Sequence, residues 1–298
     1  MSGFAVAARK LTKYYGKHRG IVDLDREVQE GEVFGFIGPN GAGKTTTIRT
    51  LLGLIFPTSG SAEIFGRDVV RQGPLARREV GYVPAEVKYY PGMTVREVFR
   101  YAAALHGVRD PGRAWSLAEQ LDLDVSRKAE DLSTGNARKA AIVQALLHSP
   151  RLLVLDEPTG GLDPLVQQSF AAILAGETAR GATVFLSSHV LSEVQRLCRR
   201  VAIVKEGRLV ACEDIATLRQ KHLRKVAVAA ARPLGPSDFP SGAATEFSRD
   251  GDTTRFLYAG DGNALVRELT RFDVQDLLVE EPTLEEIFLH YYRAEARS

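Results

Sequence analysis

A glycine-rich stretch between an apolar strand and a helix constrains this chain more than any other feature. Residues 32–54, EVFGFIGPNGAGKTTTIRTLLGL, predict a strand, a tight turn and a helix. The spacing of a phosphate-binding loop is met by Gly38, Gly43, Lys44 and Thr45. In such a loop the backbone amides surround phosphate oxygens, the lysine adds positive charge and the threonine hydroxyl can hold Mg²⁺. The stretch therefore predicts a P-loop nucleotide site in an α/β fold.

Two further apolar strands end in polar residues that can carry chemistry. Short strands alternate with helical patterns from about residue 32 to residue 205, which predicts a mainly parallel sheet whose ligands bind at the carboxyl ends of its strands. One strand ends in Asp156 and Glu157, and another ends in His189. We expect Asp156 to reach Mg²⁺, directly or through water, and Glu157 to polarise the attacking water as general base. Taken alone, these groups also fit two solvated carboxylates and a structural histidine.

The stretch DLSTGNARKAAIVQALLHSP, residues 131–150, allows two interpretations. Ser133 or Thr134 can cap the first turn of a helix whose apolar side chains face a core. Gly135 and Asn136 are weak helix formers in that turn, which favours a binding role for its amides. From these residues alone the stretch is either a helix cap or half of a binding site.

The order of predicted elements inserts a helical segment into the α/β domain. Residues 4–10 and 21–29 are expected to form antiparallel strands. The segment MTVREVFRYAAALHGV is expected to form a helix with a capping box of Thr94 and Glu97. Its apolar face is expected to comprise Val95, Val98, Phe99, Ala102 and Leu105.

A change in composition after about residue 218 indicates a second, smaller domain. A charged segment leads there into PLGPSDFPSG, which is rich in proline and glycine. The expected elements are a strand at 225–230, a hairpin turning at 250–251, a helix at 263–272, a strand at 274–279 and a final helix, PTLEEIFLHYY.

Composition limits the classes of partner and the compartment. The 39 basic and 37 acidic residues give a formal net charge of +2, so charge provides no reason to expect nucleic acid as a partner. Cys198 and Cys212 cannot build a disulfide framework, and free thiols fit a reducing cytosol. The sequence has neither an apolar run of roughly 18 residues nor the pattern of a signal peptide, so we expect the chain in the cytosol.

Five motifs in one order resemble the ATP-binding subunit of ABC transporters. They are the phosphate loop, LSTGN, VLDEPT, GLDP and SSH, and the resemblance extends from Tyr15 to about Glu213. It implies a P-loop NTPase with a RecA-like core, an antiparallel β subdomain and an inserted helical subdomain at about residues 85–150. The ATP-binding domain is then expected at residues 1–218 and a small α+β accessory domain at residues 219–298.

The resemblance also assigns roles to individual residues, with ATP and Mg²⁺ as cofactors. Tyr15 is expected to stack on adenine, although neighbouring Tyr14 remains an alternative. Ser133 and Gly135 are expected to meet the γ-phosphate of ATP held by a second copy, and Asp163 to link the two sites. The expected ATP-binding residues are Tyr15, Gly38, Pro39, Asn40, Gly41, Ala42, Gly43, Lys44, Thr45, Thr46, Ser133, Gly135, Asn136 and Asp163. Those expected at Mg²⁺ are Thr45 and Asp156, and the expected catalytic residues are Glu157 and His189.

The sequence departs from the family pattern at two places. The signature, usually LSGGQ, has Thr134 for its first glycine and Asn136 for its glutamine. In VGYVPAEVKYYPGMTV the family commonly has a glutamine where this chain has Ala85, and the alanine side chain has neither donor nor acceptor. The alternatives for the role of this glutamine are Glu86, a water molecule and coupling through packing.

The resemblance further implies transport powered by a dimer. In this family two copies pair head to tail around two ATP molecules, and closure and opening of the dimer drive a membrane permease that is a separate chain. The C-terminal EEPTLEEIFLHYY resembles the accessory domain of bacterial drug and antibiotic exporters, so the expected cargo is a drug, antibiotic or lipid-like compound. We expect residues 89–99 to contact the permease, and the chain to lie at the cytoplasmic face of the cell membrane.

Two other classes of function fit the sequence less well. A soluble ABC-type ATPase that acts on ribosomes or DNA usually carries two ATPase domains or a long coiled coil, and the sequence shows neither. A small-molecule kinase with a phosphate loop would lack LSTGN and the strand-ending His189.

Overall fold

The computed structural model describes residues 3–220, 223–239 and 241–280 and divides the chain into two compact units, Met1–Cys212 and Glu213–Ser298. This division comes before the boundary expected after residue 218. The expectation followed a change in composition near the end of a short helix, Ile215–Gln220, whereas the contacts change just before that helix begins. The final predicted helix, PTLEEIFLHYY at residues 282–292, lies outside the described residues.

The strands of the first unit form two sheets. In chain order they are β1 (Phe4–Tyr15), β2 (His18–Gln29), β3 (Val33–Ile37), β4 (Ser59–Ile64), β5 (Arg67–Asp68), β6 (Val80–Val83), β7 (Leu152–Asp156), β8 (Thr183–Ser188), β9 (Arg200–Lys205) and β10 (Arg208–Asp214). One sheet is antiparallel with the order β2-β1-β4-β5, and the other has six strands in the order β10-β9-β3-β8-β7-β6. Within the second sheet, β9, β3, β8, β7 and β6 are parallel. The antiparallel pair β1–β2 was expected, but both strands continue beyond the expected segments towards the turn between them, and their pairing contains register shifts.

The helices of the first unit follow the strands and cover the sheets. In chain order they are α1 (Lys44–Leu51), α2 (Gly73–Arg77), α3 (Val95–Leu105), α4 (Gly112–Gln120), α5 (Thr134–Leu146), α6 (Pro164–Ala179) and α7 (Leu191–Leu197). Every residue of β7 and β8 is buried, as expected for central parallel strands covered on both faces. The ring of Phe185 lies 5.3 Å from that of Phe36 and 5.8 Å from that of Phe34, measured between centroids. The loops that follow β3, β7 and β8 therefore start from the rigid centre of the sheet.

The inserted helical segment begins with the expected capping box. The amide of Glu97 donates to Thr94 Oγ1 at 3.3 Å, and the amide of Thr94 donates to Glu97 Oε2 at 2.8 Å. Four of the five residues expected on the apolar face are buried, but Leu105 is 69% exposed. This expectation was wrong because Leu105 is the last residue of α3, where the helix ends and its face no longer covers the core.

The second unit contains a small antiparallel sheet and two described α-helices. Its elements are α8 (Ile215–Gln220), β11 (Leu223–Ala230), β12 (Ala244–Asp250), β13 (Thr253–Ala259), α9 (Gly262–Leu269) and β14 (Val274–Glu280). The strand order is β12-β13-β11-β14, and Gly251 at the β12–β13 turn has a φ of 62°. Phe239, Phe256 and Tyr258 pack with Leu265 of α9 to form a separate core. Helix α9 ends before the expected residue 272, because the chain leaves the helix to enter β14.

Candidate nucleotide and catalytic site

The phosphate loop has a backbone shape that only glycine allows at several positions. Gly41 and Gly43 have φ values of 78° and 100°, in the left-handed region. A Cβ on Gly43 would lie 2.5 Å from the carbonyl oxygen of Gly20, and a Cβ on Gly38 would overlap the carbonyl oxygen of Val204. The loop can therefore close over an anion with its amides unobstructed, between the end of β3 and the start of α1.

Lys44, the first residue of α1, lies inside the concave side of this loop. Its Nζ donates to the carbonyl oxygens of Gly38 at 2.8 Å and Pro39 at 3.2 Å, and it lies 3.3 Å from Glu157 Oε1. The side chain is only 5% exposed. This buried ammonium, held by two carbonyl oxygens and a carboxylate, can provide a fixed positive charge for a phosphate group.

Asp156 is the last residue of β7, and only one of its two carboxylate oxygens accepts a hydrogen bond among the described residues. The side chain is fully buried, and Ser187 Oγ of β8 donates to Oδ1 at 2.5 Å. Oδ2 is buried without a partner among the described residues. Since a buried, unpaired carboxylate oxygen is unfavourable, its surroundings fit a cation, and a hard divalent ion prefers such oxygen ligands. Asp156 therefore fits Mg²⁺, as the sequence predicts.

Glu157 follows directly in a strained conformation, and its carboxylate points at the side chains of Lys44 and His189. Its φ of 49° is uncommon for a residue other than glycine, and its amide donates to the carbonyl of Ser187 at 3.0 Å. Oε1 faces Lys44, and Oε2 lies 3.2 Å from His189 Nδ1. Glu157 therefore contacts both Lys44 and His189, although the three groups come from α1, the end of β7 and the loop after β8.

One pocket contains seven of the fourteen residues expected to bind ATP. It is lined by Tyr15, Arg19, Gly20, Asn40, Gly41, Gly43, Lys44, Thr45, Thr46 and Glu157. Tyr15 is 46% exposed and lines this pocket, whereas Tyr14 is not among its lining residues. The geometry therefore favours Tyr15 over Tyr14 for stacking. Arg19, which was not predicted from the sequence, also lines this pocket, and its Nη1 lies 3.2 Å from Glu206 Oε2.

The signature residues line a second pocket that shares no residue with the first. Its lining consists of Ser133, Thr134, Gly135, Asn136, Lys139, Gly161, Leu162 and Asp163. Ser133 is exposed and caps α5, where Ser133 Oγ accepts from the amide of Asn136 at 3.4 Å. Asp163 caps α6 by accepting from the amides of Leu165 and Val166 at 3.0 Å. The signature of a chain is thus brought together with the Asp163 loop and not with that chain's own phosphate loop.

Two buried charged residues near the site were not predicted from the sequence. Glu193 of α7 accepts hydrogen bonds from Thr159 Oγ1 and from Ser188 Oγ, the latter at 3.0 Å, and so joins the loops after β7 and β8. Arg138 of α5 donates to the carbonyls of residues 84 and 85. A charged residue within a helix is ordinarily expected in solvent, so periodicity alone gives no signal for either.

Comparison with known proteins identifies the family. The family model described as ABC transporter matches residues 21–160. Nod factor export ATP-binding protein I of Cupriavidus metallidurans (strain ATCC 43123 / DSM 2839 / NBRC 102507 / CH34) is 38% identical over 208 residues, which cover 68% of this chain and 69% of that protein. The chain belongs to the ABC transporter family. This ABC ATPase is also 39% identical over 203 residues to the bacitracin transport ATP-binding protein of Bacillus licheniformis, covering 67% of this chain and 66% of that one.

Solved structures agree with this assignment. A solved ATP-binding subunit of an ABC transporter is 31% identical, with a TM-score of 0.69 over 72% of this chain and 92% of that one. A dimeric bacterial ABC transporter cassette, at 23% identity and a TM-score of 0.64, shares the fold over 70% of this chain and 98% of that one. The expected family, P-loop α/β fold, ATP binding and ATPase class are confirmed. Across its described residues, this ABC ATPase has no helix of the length and apolarity needed to cross a membrane.

Proposed function

We propose that two copies of this ABC ATPase pair head to tail around two ATP–Mg²⁺ complexes and power export through a separate membrane permease at the cytoplasmic face of the cell membrane. The observation that best supports this proposal is that the phosphate-loop pocket and the signature pocket are separate surfaces of one chain. ATP held in the first pocket can therefore meet a signature only from another copy. The dimer completes two sites at once.

Each residue of the first pocket has a role in this proposal. Lys44 and the loop amides bind the phosphates, and Tyr15 stacks on adenine. Thr45 and Asp156 hold Mg²⁺, which when bound neutralises charge on the transferred phosphoryl group. Glu157 accepts a proton from the attacking water as general base, and His189 orients its carboxylate through Oε2.

The signature pocket supplies the opposite wall of the partner's site. The start of α5 presents backbone amides and the positive end of the helix dipole, both of which favour a phosphate anion. Bound ATP then favours the closed dimer, and hydrolysis removes the bridging γ-phosphate, so the dimer can open. This cycle would drive the permease between its two states.

Relatives and surface residues support the export half of the proposal. Similar proteins are named for bacitracin transport, Nod factor export and multidrug transport, so a drug, antibiotic or lipid-like cargo fits this chain best. In the segment expected to meet the permease, Tyr90 is 80% exposed. Tyr89 in the same segment is half-buried, and its hydroxyl donates to the carbonyl of Ala137 in α5 at 3.5 Å.

A mixing experiment tests whether the site is shared between copies. Lys44→Ala damages the phosphate loop and Ser133→Asp damages the signature, and each variant alone should lack turnover. Mixed together, they form heterodimers in which one site combines an intact phosphate loop with an intact signature, so ATP turnover should return. The matched control mixes Lys44→Ala with Glu157→Gln, which leaves every heterodimer site defective on the phosphate-loop side, and should stay inactive. A failure of the first mixture to recover turnover contradicts the shared site.

A co-purification experiment tests the partner. The chain should purify from detergent extract with a membrane permease, and cargo should stimulate ATP turnover of that complex. Recovery with ribosomes or DNA in place of a permease would contradict the transport assignment.

A further inference from the structure

Ala85 leaves this chain without the side chain that the family commonly uses next to the catalytic carboxylates. The neighbouring Glu86 side chain is 76% exposed and pairs with Lys88 Nζ at 2.9 Å. The backbone at residues 84–85 nevertheless has a charged partner. That partner is Arg138, which lies five positions after Ser133 on the signature helix α5.

The guanidinium of Arg138 holds this backbone with both of its terminal nitrogens. Nη1 donates to the carbonyl of Pro84 and Nη2 to that of Ala85, each at 2.5 Å. The residue is only 6% exposed, and Nη2 lies 3.9 Å from where a Cβ on Gly160 would be. One planar fork therefore touches the segment after β6, lies beside the loop after β7, and is anchored in α5.

This position places a cation near the carboxyl ends of β6 and β7, where Asp156 and Glu157 lie, which we call the catalytic edge of the sheet. β6 and β7 are parallel neighbours with Val83 opposite Leu155, so residues 84–85 and the pair Asp156–Glu157 leave the sheet side by side. Burial lowers the pKa of the Arg138 guanidinium, and the negative charges of Asp156 and Glu157 act in the opposite direction. The cation and both carboxylates therefore interact through a weakly screened interior.

We propose that Arg138 is a positioning residue that fixes residues 84–85 to the signature helix and so transmits the position of that helix to the catalytic edge of the sheet. This inference rests on the proposed roles of Asp156 and Glu157. The two-point contact suits such a role because a fork bonded to consecutive carbonyls resists rotation as well as displacement. When α5 meets ATP on the partner copy, the same helix orients the backbone beside the hydrolytic site of its own chain.

The test compares Arg138→Met and Arg138→Lys with a matched control in the full-length chain. Arg113→Met removes another partly buried guanidinium that donates to a carbonyl of α5, that of Leu146 at 2.9 Å, far along the helix from the signature. Melting temperature, ATP affinity by titration with a fluorescent ATP analogue and kcat at saturating ATP are measured for each. We expect Arg138→Met to lower kcat by about tenfold or more with ATP affinity within about twofold of the parent. Arg138→Lys, which keeps the charge and can bond one carbonyl, should retain more activity than Arg138→Met.

The control separates positioning from stability. Arg113→Met should lower the melting temperature while leaving kcat unchanged where the protein is folded. The proposal is overturned if Arg138→Met keeps its kcat, or if its kcat and ATP affinity fall together in proportion. Glu157→Gln is assayed in parallel. If Glu157→Gln is active, the proposed catalytic role of Glu157 is overturned. If Glu157→Gln is inactive but Arg138→Met is active, only the role of Arg138 is overturned.

Discussion

Replacing Ser133 with aspartate tests the shared site without damaging the monomer. Ser133 is exposed and caps α5 through a long contact of 3.4 Å with the amide of Asn136. Aspartate and asparagine cap helices about as well as serine, and a negative charge at a helix N-terminus adds about 0.3 to 1 kcal/mol of stability. The Ser133→Asp monomer should therefore be at least as stable as its parent, while its new carboxylate would face the γ-phosphate in the dimer.

The expected loss follows from charge repulsion across the dimer interface. Two unit charges about 4 Å apart repel by about 1 kcal/mol in water and by about 4 kcal/mol at the effective dielectric constant of a protein surface. Because about 1.4 kcal/mol corresponds to a tenfold change, ATP-dependent dimerisation should weaken by about fivefold to a thousandfold. Ser133→Asn introduces a neutral side chain of nearly the same shape as aspartate, so it should weaken ATP-dependent dimerisation far less.

The assay measures dimerisation and nucleotide binding separately. Both substitutions are made in a Glu157→Gln background, where slow hydrolysis keeps ATP bound, and mass is followed by light scattering after gel filtration with ATP. ATP affinity of the monomer is measured by fluorescence titration and should be unchanged in both. If Ser133→Asp dimerises with ATP as well as Ser133→Asn, the signature does not face the phosphate and Ser133 is only a helix cap.

Three further perturbations test individual groups. Glu157→Gln should lower kcat by about 10²- to 10⁴-fold without changing ATP affinity, as steady-state kinetics and titration would show. Lys44→Ala should weaken ATP binding in that titration, and unchanged affinity would contradict the phosphate-loop assignment. Burial, and then the charge of His106, lowers the pKa of His148 to about 4, so the unfolded chain binds more protons than the folded one below about pH 6.5. Stability measured by urea unfolding should therefore fall as the pH drops towards 4, and less steeply in His148→Gln.

The parts of the site that could be predicted from sequence are those formed by neighbouring residues. The phosphate loop requires glycine at Gly43 because of its φ of 100°, and the lysine follows at the next position. Asp156 and Glu157 were located because a buried parallel strand is a continuous apolar run, and its end is visible in the sequence. Such features depend on local conformation, so the order of residues is enough to place them.

The parts that could not be predicted depend on contacts between distant segments. Arg138 meets a carbonyl 54 positions earlier in the chain, and Glu193 meets Thr159 across 34 positions. Nothing in the sequence around α5 shows that its arginine points to another loop, since a solvated arginine gives the same pattern. The sequence also left the choice between Tyr14 and Tyr15 open, and the choice depends on which ring lines the phosphate-loop pocket.

The proposed binding role of the signature can be tested more cleanly at Ser133 than at Gly135. A Cβ on Gly135 would lie 2.8 Å from the carbonyl oxygen of Gly161, so this glycine is already required by packing within its own chain. A larger residue at Gly135 would displace the Asp163 loop, and a loss of dimerisation there could come from that displacement alone. Ser133 has no such constraint, because its side chain is exposed and its cap can be kept by aspartate or asparagine. In the proposed dimer, a change at Ser133, unlike one at Gly135, would therefore alter the charge that faces the partner's ATP and leave the fold of the chain intact.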